Sequence, residues 1–276
     1  MKIKKILIPF DFSECAENAL NYALNIKEKT QAELCLLNIC MLPSPYAETD
    51  YYYEASVVEE TEQANRERLH QLKKDTPALF GSQIETSSHI SVTEGIKHRL
   101  QEQDIDLIIM GTKGAKGLYE ILFGSHASSL VKETMVPTLV VPESYQTHGF
   151  ARMAFAGDYE NVEDPQEAYI LADLCQAFNA ELEIFYVNPL NEPITQERAF
   201  QAAQLEDYFK DTKHSYHEIK HQSPEQGITE YIDQHKIDLI SMIPRRHTVL
   251  EKLFKGSLTK KMVSHLQIPI LVLHDE

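Results

Sequence analysis

The sequence predicts an α/β protein made of two tandem, open, parallel five-stranded sheets with helices on both faces. Short apolar runs typical of buried strands alternate with amphipathic segments of helical period, the pattern expected of a parallel sheet with right-handed crossovers. The pattern then begins again near residue 150. At 276 residues, the chain is also longer than a usual single domain. We therefore predict domains at residues 1–146 and 150–276.

The first copy contains five predicted strands, at residues 5–9, 32–39, 84–90, 106–110 and 138–141. Ser13 is the predicted N-cap of the first helix, and Ser91 with Glu94 forms a capping box for a helix that ends at Gln103. Residues 42–53 hold two prolines and four tyrosines and are predicted as an irregular loop before a polar helix. The tyrosines have two open interpretations: an ordinary surface loop, or an aromatic surface that covers a ligand or contacts another subunit.

The second copy repeats the first. Residues 106–141 align without a gap with residues 238–273, and 11 of the 36 positions are identical. Residues 154–158 correspond to 7–11, and residues 180–187 correspond to 32–39. Residues 223–227 repeat 91–95, again with the spacing of a capping box and now with proline at the first helical position.

Composition excludes several classes of protein. The net charge is −16, and both halves share it, with 14 basic against 21 acidic residues in 1–146 and 12 against 21 in the remainder. This balance argues against nucleic acid and against a membrane surface as partners. No run approaches the ~20 apolar residues of a membrane span. The first residues lack a secretory signal, and the four cysteines show neither CxxC spacing nor a disulfide pattern, so we expect a cytoplasmic protein.

A glycine-rich segment between a predicted strand and a predicted helix carries the clearest functional signal. Its spacing is a glycine at 111, two residues, a glycine at 114, nine residues, and then Gly124-Ser125. Glycine lets the backbone approach a ligand closely, and the start of a helix favours an anion. The segment therefore predicts a phosphate site, and the alternative is a mobile loop with nothing bound.

This spacing resembles the ATP-binding signature of the universal stress protein (UspA-like) family, and the resemblance covers nearly the whole chain. It implies Rossmann-like sheets, similar to those of adenine nucleotide alpha hydrolases, with ATP as the ligand of the first domain, with or without Mg²⁺. Asp11 has an alternative role as a helix-capping carboxylate. The side chain of Ile39 has an alternative role in the core. The matching positions are Pro9, Asp11, Ile39, Met110, Gly111, Lys113, Gly114, Gly124, Ser125, His126 and Ala127.

The two copies diverge at this signature. Ile243-Pro244-Arg245-Arg246 stands where the first copy has residues 111–114, so both glycines of the GxxG pattern are replaced. The hypothesis is that the second domain does not bind ATP in the same way. A different anion site, formed by Asp158, Arg245, Arg246, Gly256 and Ser257, is one interpretation of the basic cluster there, and a solvated loop and helix face is the other.

The leading functional hypothesis is an ATP-binding stress-response and signalling module that holds its nucleotide with little or no turnover. The sequence has no GxxxxGK[ST] loop, and Asp11 without a second acid is a weak catalytic case, so we assign no catalytic residue and no metal ligand. The alternatives are a slow ATP-hydrolysing or adenylate-transferring enzyme and a nucleotide-free structural protein. The resemblance also implies pairing of the domains through residues 138–141 and 270–273 as a pseudo-dimer, with two chains forming a homodimer.

Overall fold

The computed structural model describes residues 3–42, 51–112, 125–146, 149–157, 168–188, 196, 206–243 and 268–274. The first half of the chain contains β1 (Lys5–Pro9), α1 (Glu14–Thr30), β2 (Glu33–Met41), α2 (Tyr51–Asp75), β3 (Gln83–His89), α3 (Val92–Glu102), β4 (Leu107–Thr112), α4 (Ser125–Glu133) and β5 (Thr138–Pro142). The second half contains β6 (Arg152–Ala156), α5 (Ala168–Phe178), β7 (Glu181–Asn188), β8 (His214–Lys220), α6 (Pro224–His235), β9 (Leu239–Met242) and β10 (Ile270–Val272).

All ten strands belong to one sheet with the order β3-β2-β1-β4-β5-β10-β9-β6-β7-β8. Strands within each half pair in parallel, and the halves meet where β5 and β10 pair antiparallel. Leu139 lies opposite Leu271 at this junction. The predicted α/β class is thus confirmed, and so is pairing of the two copies through their last strands. The two predicted five-stranded sheets are continuous with each other.

Helices cover both faces of the sheet, as the strand pattern predicts. Successive residues of a strand point to opposite faces, so Ile6 and Ile8 belong to one core layer and Leu7 to the other. The first layer packs against buried residues of α1, α2 and α5, and the second layer packs against α3, α4 and α6. Burial on both faces explains why the inner strands read as nearly continuous apolar runs, whereas the edge strands β3 and β8 are polar.

Local capping signals place the helix starts. Ser13, Ser91 and Ser223 are the N-caps of α1, α3 and α6, and the side chain of each accepts a hydrogen bond from a backbone N–H in the first turn. These bonds satisfy N–H groups that have no partner within the helix. The three predicted caps are confirmed.

Two predicted boundaries were wrong. The helix α2 begins at Tyr51, so Tyr51, Tyr52 and Tyr53 form its first turn, because tyrosine is only mildly unfavourable in a helix. Residues 43–50 lie outside the described residues. Strand β4 continues to Thr112 because its ladder with β5 extends through Gly111 and Thr112, so the first glycine of the signature is a strand residue.

In the described part of the chain, no helix is long and apolar enough to cross a membrane.

Candidate functional site

The candidate site lies at the carboxyl ends of β1 and β4, where the strand order of the sheet reverses. Strand β1 pairs with β2 on one side and with β4 on the other, so the connections after these strands run in opposite directions along the sheet. Such a switch point opens a crevice where doubly wound sheets bind ligands. Pro9 ends β1, and Thr112 ends β4. The fold therefore brings the first and fourth strands of the predicted site to the same edge.

Asp11 follows β1 and lies exposed at this edge. Its Oδ1 accepts hydrogen bonds from the backbone N–H of Ser13, at 3.0 Å, and from the Ser13 hydroxyl, at 2.5 Å. Ser13 in turn caps α1 by accepting a hydrogen bond from the N–H of Ala16 at 3.3 Å. Asp11 therefore supports the start of α1, which is its alternative role, and its carboxylate lies at the surface.

Ile39 lies in β2, and its side chain packs into the core. The half-buried side chain packs with the second core layer. A β-carbon at Gly95 in the first turn of α3 would lie 2.8 Å from Ile39 Cδ1, so glycine at that position lets the helix pack closely against the Ile39 side chain in its present conformation. In the second half, Gly227 has the same relationship to Val187, with a distance of 3.0 Å. The side chain of Ile39 is thus a core residue.

Gly111 has a structural role that the sequence did not reveal. A β-carbon at this position would overlap the carbonyl group of Cys15 in the first turn of α1. Close packing between a helix and a strand is one of the reasons for glycine at nucleotide-binding turns. The neighbouring Met110 is 6% exposed and belongs to the core.

Helix α4 begins at Ser125, so its first turn follows the glycine-spaced segment along the chain. Ala127 is 1% exposed and packs into the second core layer, so only its backbone is available to a ligand. Lys113, Gly114 and Gly124 lie outside the described residues, as do the side chains of Ser125 and His126.

The proposed second anion site falls outside the described residues, since Asp158, Arg245, Arg246, Gly256 and Ser257 all lie there. Ile243, which takes the place of Gly111, is described. It follows β9, is 5% exposed, and packs into the first core layer. The second half therefore accommodates a large side chain at the position where the first half has no room for a β-carbon.

Sequence reasoning missed a group of contacts to Phe10 and Phe12, the residues on either side of Asp11. Phe12 has a positive φ of 63°, which is uncommon for a residue with a β-carbon. The guanidinium carbon of Arg68 lies 3.8 Å from the centre of the Phe12 ring. Asn38 is buried and donates to the carbonyl oxygen of Phe10 at 2.8 Å. A residue on the distant helix α2 takes part, so no local sequence signal could have found this arrangement.

The topology and the switch-point crevice define a doubly wound α/β protein built from two copies of one unit. Comparison with known proteins identifies the unit. The model of the universal stress protein family matches residues 2–142 and again residues 167–274. The chain belongs to the universal stress protein family, and it carries the family's domain twice.

Individual relatives agree with this assignment. Universal stress protein MJ0531 of Methanocaldococcus jannaschii is 32% identical over 147 residues, which cover 50% of this chain and 81% of the relative. Universal stress protein MJ0577 of the same organism is 30% identical over 152 residues, covering 50% of this chain and 94% of the relative. A universal stress protein structure from Archaeoglobus fulgidus has a TM-score of 0.74 at 18% identity and covers 99% of both chains, which establishes the fold over the full length.

Proposed function

We propose that this protein is a stress-response and signalling module that binds ATP in its first half and holds it with little or no turnover. The observation that carries the proposal is the switch point of the strand order between β1 and β4, with Asp11 and Gly111 at the carboxyl ends of these strands. The glycine-spaced signature of the sequence connects this edge to the start of α4. Membership of the universal stress protein family supports the same function. We place the domains at residues 1–146 and 150–276.

Each matching position has a proposed role. Backbone groups at Pro9, Ile39 and Met110 line the adenosine pocket, and the Asp11 carboxylate accepts hydrogen bonds from ribose hydroxyls. The phosphates lie against the backbone at the first turn of α4, where N–H groups and the helix dipole favour negative charge. Mg²⁺, when bound, neutralises phosphate charge and is reached from Asp11 through water. The phosphate-binding positions are Gly111, Lys113, Gly114, Gly124, Ser125, His126 and Ala127.

The proposal is asymmetric because the second half has lost the glycines. Ile243 fills the position of Gly111 with a buried side chain. Arg245 and Arg246 belong to a second, different anion site in the same proposal, together with Asp158, Gly256 and Ser257. The antiparallel pairing of β5 and β10 makes the two halves a pseudo-dimer within one chain. A homodimer of whole chains and a cytoplasmic location complete the proposal.

The test begins by denaturing freshly purified protein and identifying any released nucleotide by chromatography. The stripped full-length protein is then titrated with Mg-ATP in a calorimeter. We expect close to one site per chain, lost in Gly114→Ala and weakened in Asp11→Ala. Gly149→Ala is the matched control, because a β-carbon at Gly149 meets no atom within 4 Å.

Other outcomes separate the alternatives. Two equivalent sites would contradict the asymmetry, and no binding of any adenine nucleotide would favour a nucleotide-free structural protein. ATP turnover above the buffer background that disappears in Gly114→Ala would indicate an enzyme. Unchanged anion binding after replacement of both Arg245 and Arg246 by alanine would remove the second site from the proposal.

A further inference from the structure

The connection between β1 and α1, residues 10–13, carries Asp11 and is held from outside by helix α2. Two residues of α2 act on this connection: Arg68 contacts Phe12 directly, and Asn65 acts through Asn38 of β2. They are three positions apart, so they lie on the same face of the helix. One acts on the residue before Asp11 and the other on the residue after it.

The first contact is a chain of two hydrogen bonds. Asn65 Nδ2 donates to Asn38 Oδ1 at 3.1 Å, and Asn38 Nδ2 donates to the carbonyl oxygen of Phe10 at 2.8 Å. Asn38 is 3% exposed, so its amide depends on these protein partners. The N–H of Phe10 donates to the carbonyl oxygen of Leu37 at 2.9 Å. Both backbone polar groups of Phe10 are therefore fixed.

The second contact acts on Phe12. Its positive φ of 63° is unfavourable for a residue with a β-carbon, so neighbouring contacts must hold it. The Arg68 guanidinium stacks on one face of the ring at 3.8 Å, a cation–π geometry. The Phe10 ring meets it edge-on, with 5.3 Å between the ring centres. The unusual backbone at position 12 turns the chain from Asp11 into the capping residue Ser13.

Two residues of this arrangement differ in the described part of the second copy. Gly157 stands in place of Phe10 and Tyr186 in place of Asn38. The N–H of Gly157 still donates to the carbonyl oxygen of Phe185 at 3.0 Å, as Phe10 does to Leu37. The five-stranded half therefore forms without the asparagine and the phenylalanine. Both residues occur in the copy that keeps the glycine signature.

We propose that α2 is the positioning element for Asp11, and that Asn65 and Arg68 are positioning residues for nucleotide binding. Neither residue contacts the nucleotide in this proposal. They act by fixing the residues on either side of Asp11. The Asp11 carboxylate is then already in place for the ribose, so binding does not have to order this segment. The inference rests on the proposed binding of ATP by the first half.

The experiment measures the Mg-ATP dissociation constant of full-length variants by calorimetry. A cation–π contact at an exposed site corresponds to a loss of about two- to fivefold in affinity, which we expect for Arg68→Ala. Arg68→Lys keeps the cation and recovers part of the loss. Arg66→Ala is the matched control, since Arg66 lies on the same helix, is 50% exposed, and pairs with Glu62. It should bind like the wild type.

A mutant cycle separates positioning from general loss of stability. Phe12→Leu removes the ring, and Arg68→Ala should have no further effect on affinity in that background. Hydrogen exchange of the nucleotide-free protein supplies a readout without ligand: Arg68→Ala should speed exchange of the Ser13 amide, which Asp11 holds, and Arg66→Ala should not. Should Phe12→Leu fail to fold, Arg68→Lys and the exchange data still decide the question.

Two failures are distinguishable. If the wild type binds no adenine nucleotide, the proposed function falls and this inference falls with it. If the wild type binds Mg-ATP and Arg68→Ala binds as Arg66→Ala does, with equal exchange at Ser13, only the inference is overturned.

Discussion

The backbone of Gly111 in β4 lies so close to the carbonyl group of Cys15 in α1 that a β-carbon at position 111 would overlap it. This contact packs the first turn of α1 directly against β4 at the switch point of the sheet. The same glycine is the first of the glycine-spaced signature. Close packing and the proposed approach of a ligand therefore make the same demand on one residue, and Ile243 in the second copy meets neither.

Gly111→Ala should destabilise the protein, because the obstructing atoms belong to the Cys15 backbone and cannot rotate away. Overpacking of this kind costs about 1–3 kcal/mol in the free energy of unfolding. Urea denaturation measures the change, with Gly149→Ala as the control for replacing glycine where there is open space. Equal stability of the two variants would show that α1 can move away from β4.

Asp106 and Asp238 are equivalent residues of the two copies and perform the same structural task. Asp106 Oδ2 accepts hydrogen bonds from the backbone N–H groups of Lys4 and Lys5, both at 2.8 Å. Asp238 Oδ2 accepts from Ala151 at 2.8 Å and from Arg152 at 2.9 Å. The copies thus agree at the amino end of the first strand and differ at its carboxyl end, where the proposed nucleotide site lies.

Replacing either aspartate by alanine should lower the free energy of unfolding by about 2 kcal/mol, since each loses a carboxylate that accepts two N–H groups. The two variants should lose similar amounts, which chemical denaturation can measure. Asp104→Ala is a suitable control, because Asp104 is exposed and lies in the same connection. A much smaller loss for one copy would mean that its first strand is held mainly by other contacts.

The sequence predicted what local patterns encode. Apolar runs located most of the strands, but not the polar edge strand β8. Serine caps located the starts of α1, α3 and α6, because both signals depend on neighbours within a few residues. It did not predict the contact of Gly111 with Cys15 or that of Phe12 with Arg68. A glycine has the same appearance in sequence whether it faces a ligand or a helix. Phe12 and Arg68 are far apart in the chain, so their stacking produces no periodic pattern in the sequence.

The junction of the two halves is a further long-range feature. Resemblance to the family predicted the pairing of the last strands, but the pattern within each copy predicted two separate sheets. Leu139 and Leu271 lie directly opposite each other in the antiparallel ladder, and both are 0% exposed. Each copy therefore completes its core at an edge that pairs with the other copy.

Leu139→Ala and Leu271→Ala should each cost about 2–5 kcal/mol in the free energy of unfolding, the usual range for a buried leucine. Because the side chains belong to the same core layer and face each other, the double variant should depart from additivity by about 0.5–3 kcal/mol. A thermodynamic cycle from urea denaturation measures this coupling. Strict additivity would indicate that the halves are stabilised independently.

His214 in β8 provides a pH-dependent contact in the second half. Its Nδ1 lies 2.8 Å from the carbonyl oxygen of Thr212, and its Nε2 lies 3.1 Å from the carboxylate of Glu206. Both neighbours are acceptors, so only the imidazolium can donate to both. Burial by itself lowers the pKa of His214, but the hydrogen bonds to Thr212 and Glu206 outweigh it, and the pKa lies above its ordinary value of 6.5.

The raised pKa fixes the direction of the pH effect. Stabilisation by His214 should be complete below pH 6.5, its ordinary value, and should be lost as pH rises through the raised pKa of the folded state. The hydrogen bond from His214 lowers the pKa of Glu206. The contribution of the Glu206 carboxylate to stability is therefore lost only at acidic pH. Because Glu206 is 55% exposed, screening limits the effect to about 0.5 kcal/mol.

The measurement compares wild type with His214→Gln by urea denaturation at about pH 5.5 and about pH 8. The wild type should be the more stable of the two at the lower pH, and the difference should shrink at the higher pH. His98→Gln, at an exposed histidine of α3, controls for loss of an imidazole. A difference that grows with pH would mean that His214 is neutral in the folded protein, with Glu206 held by other groups.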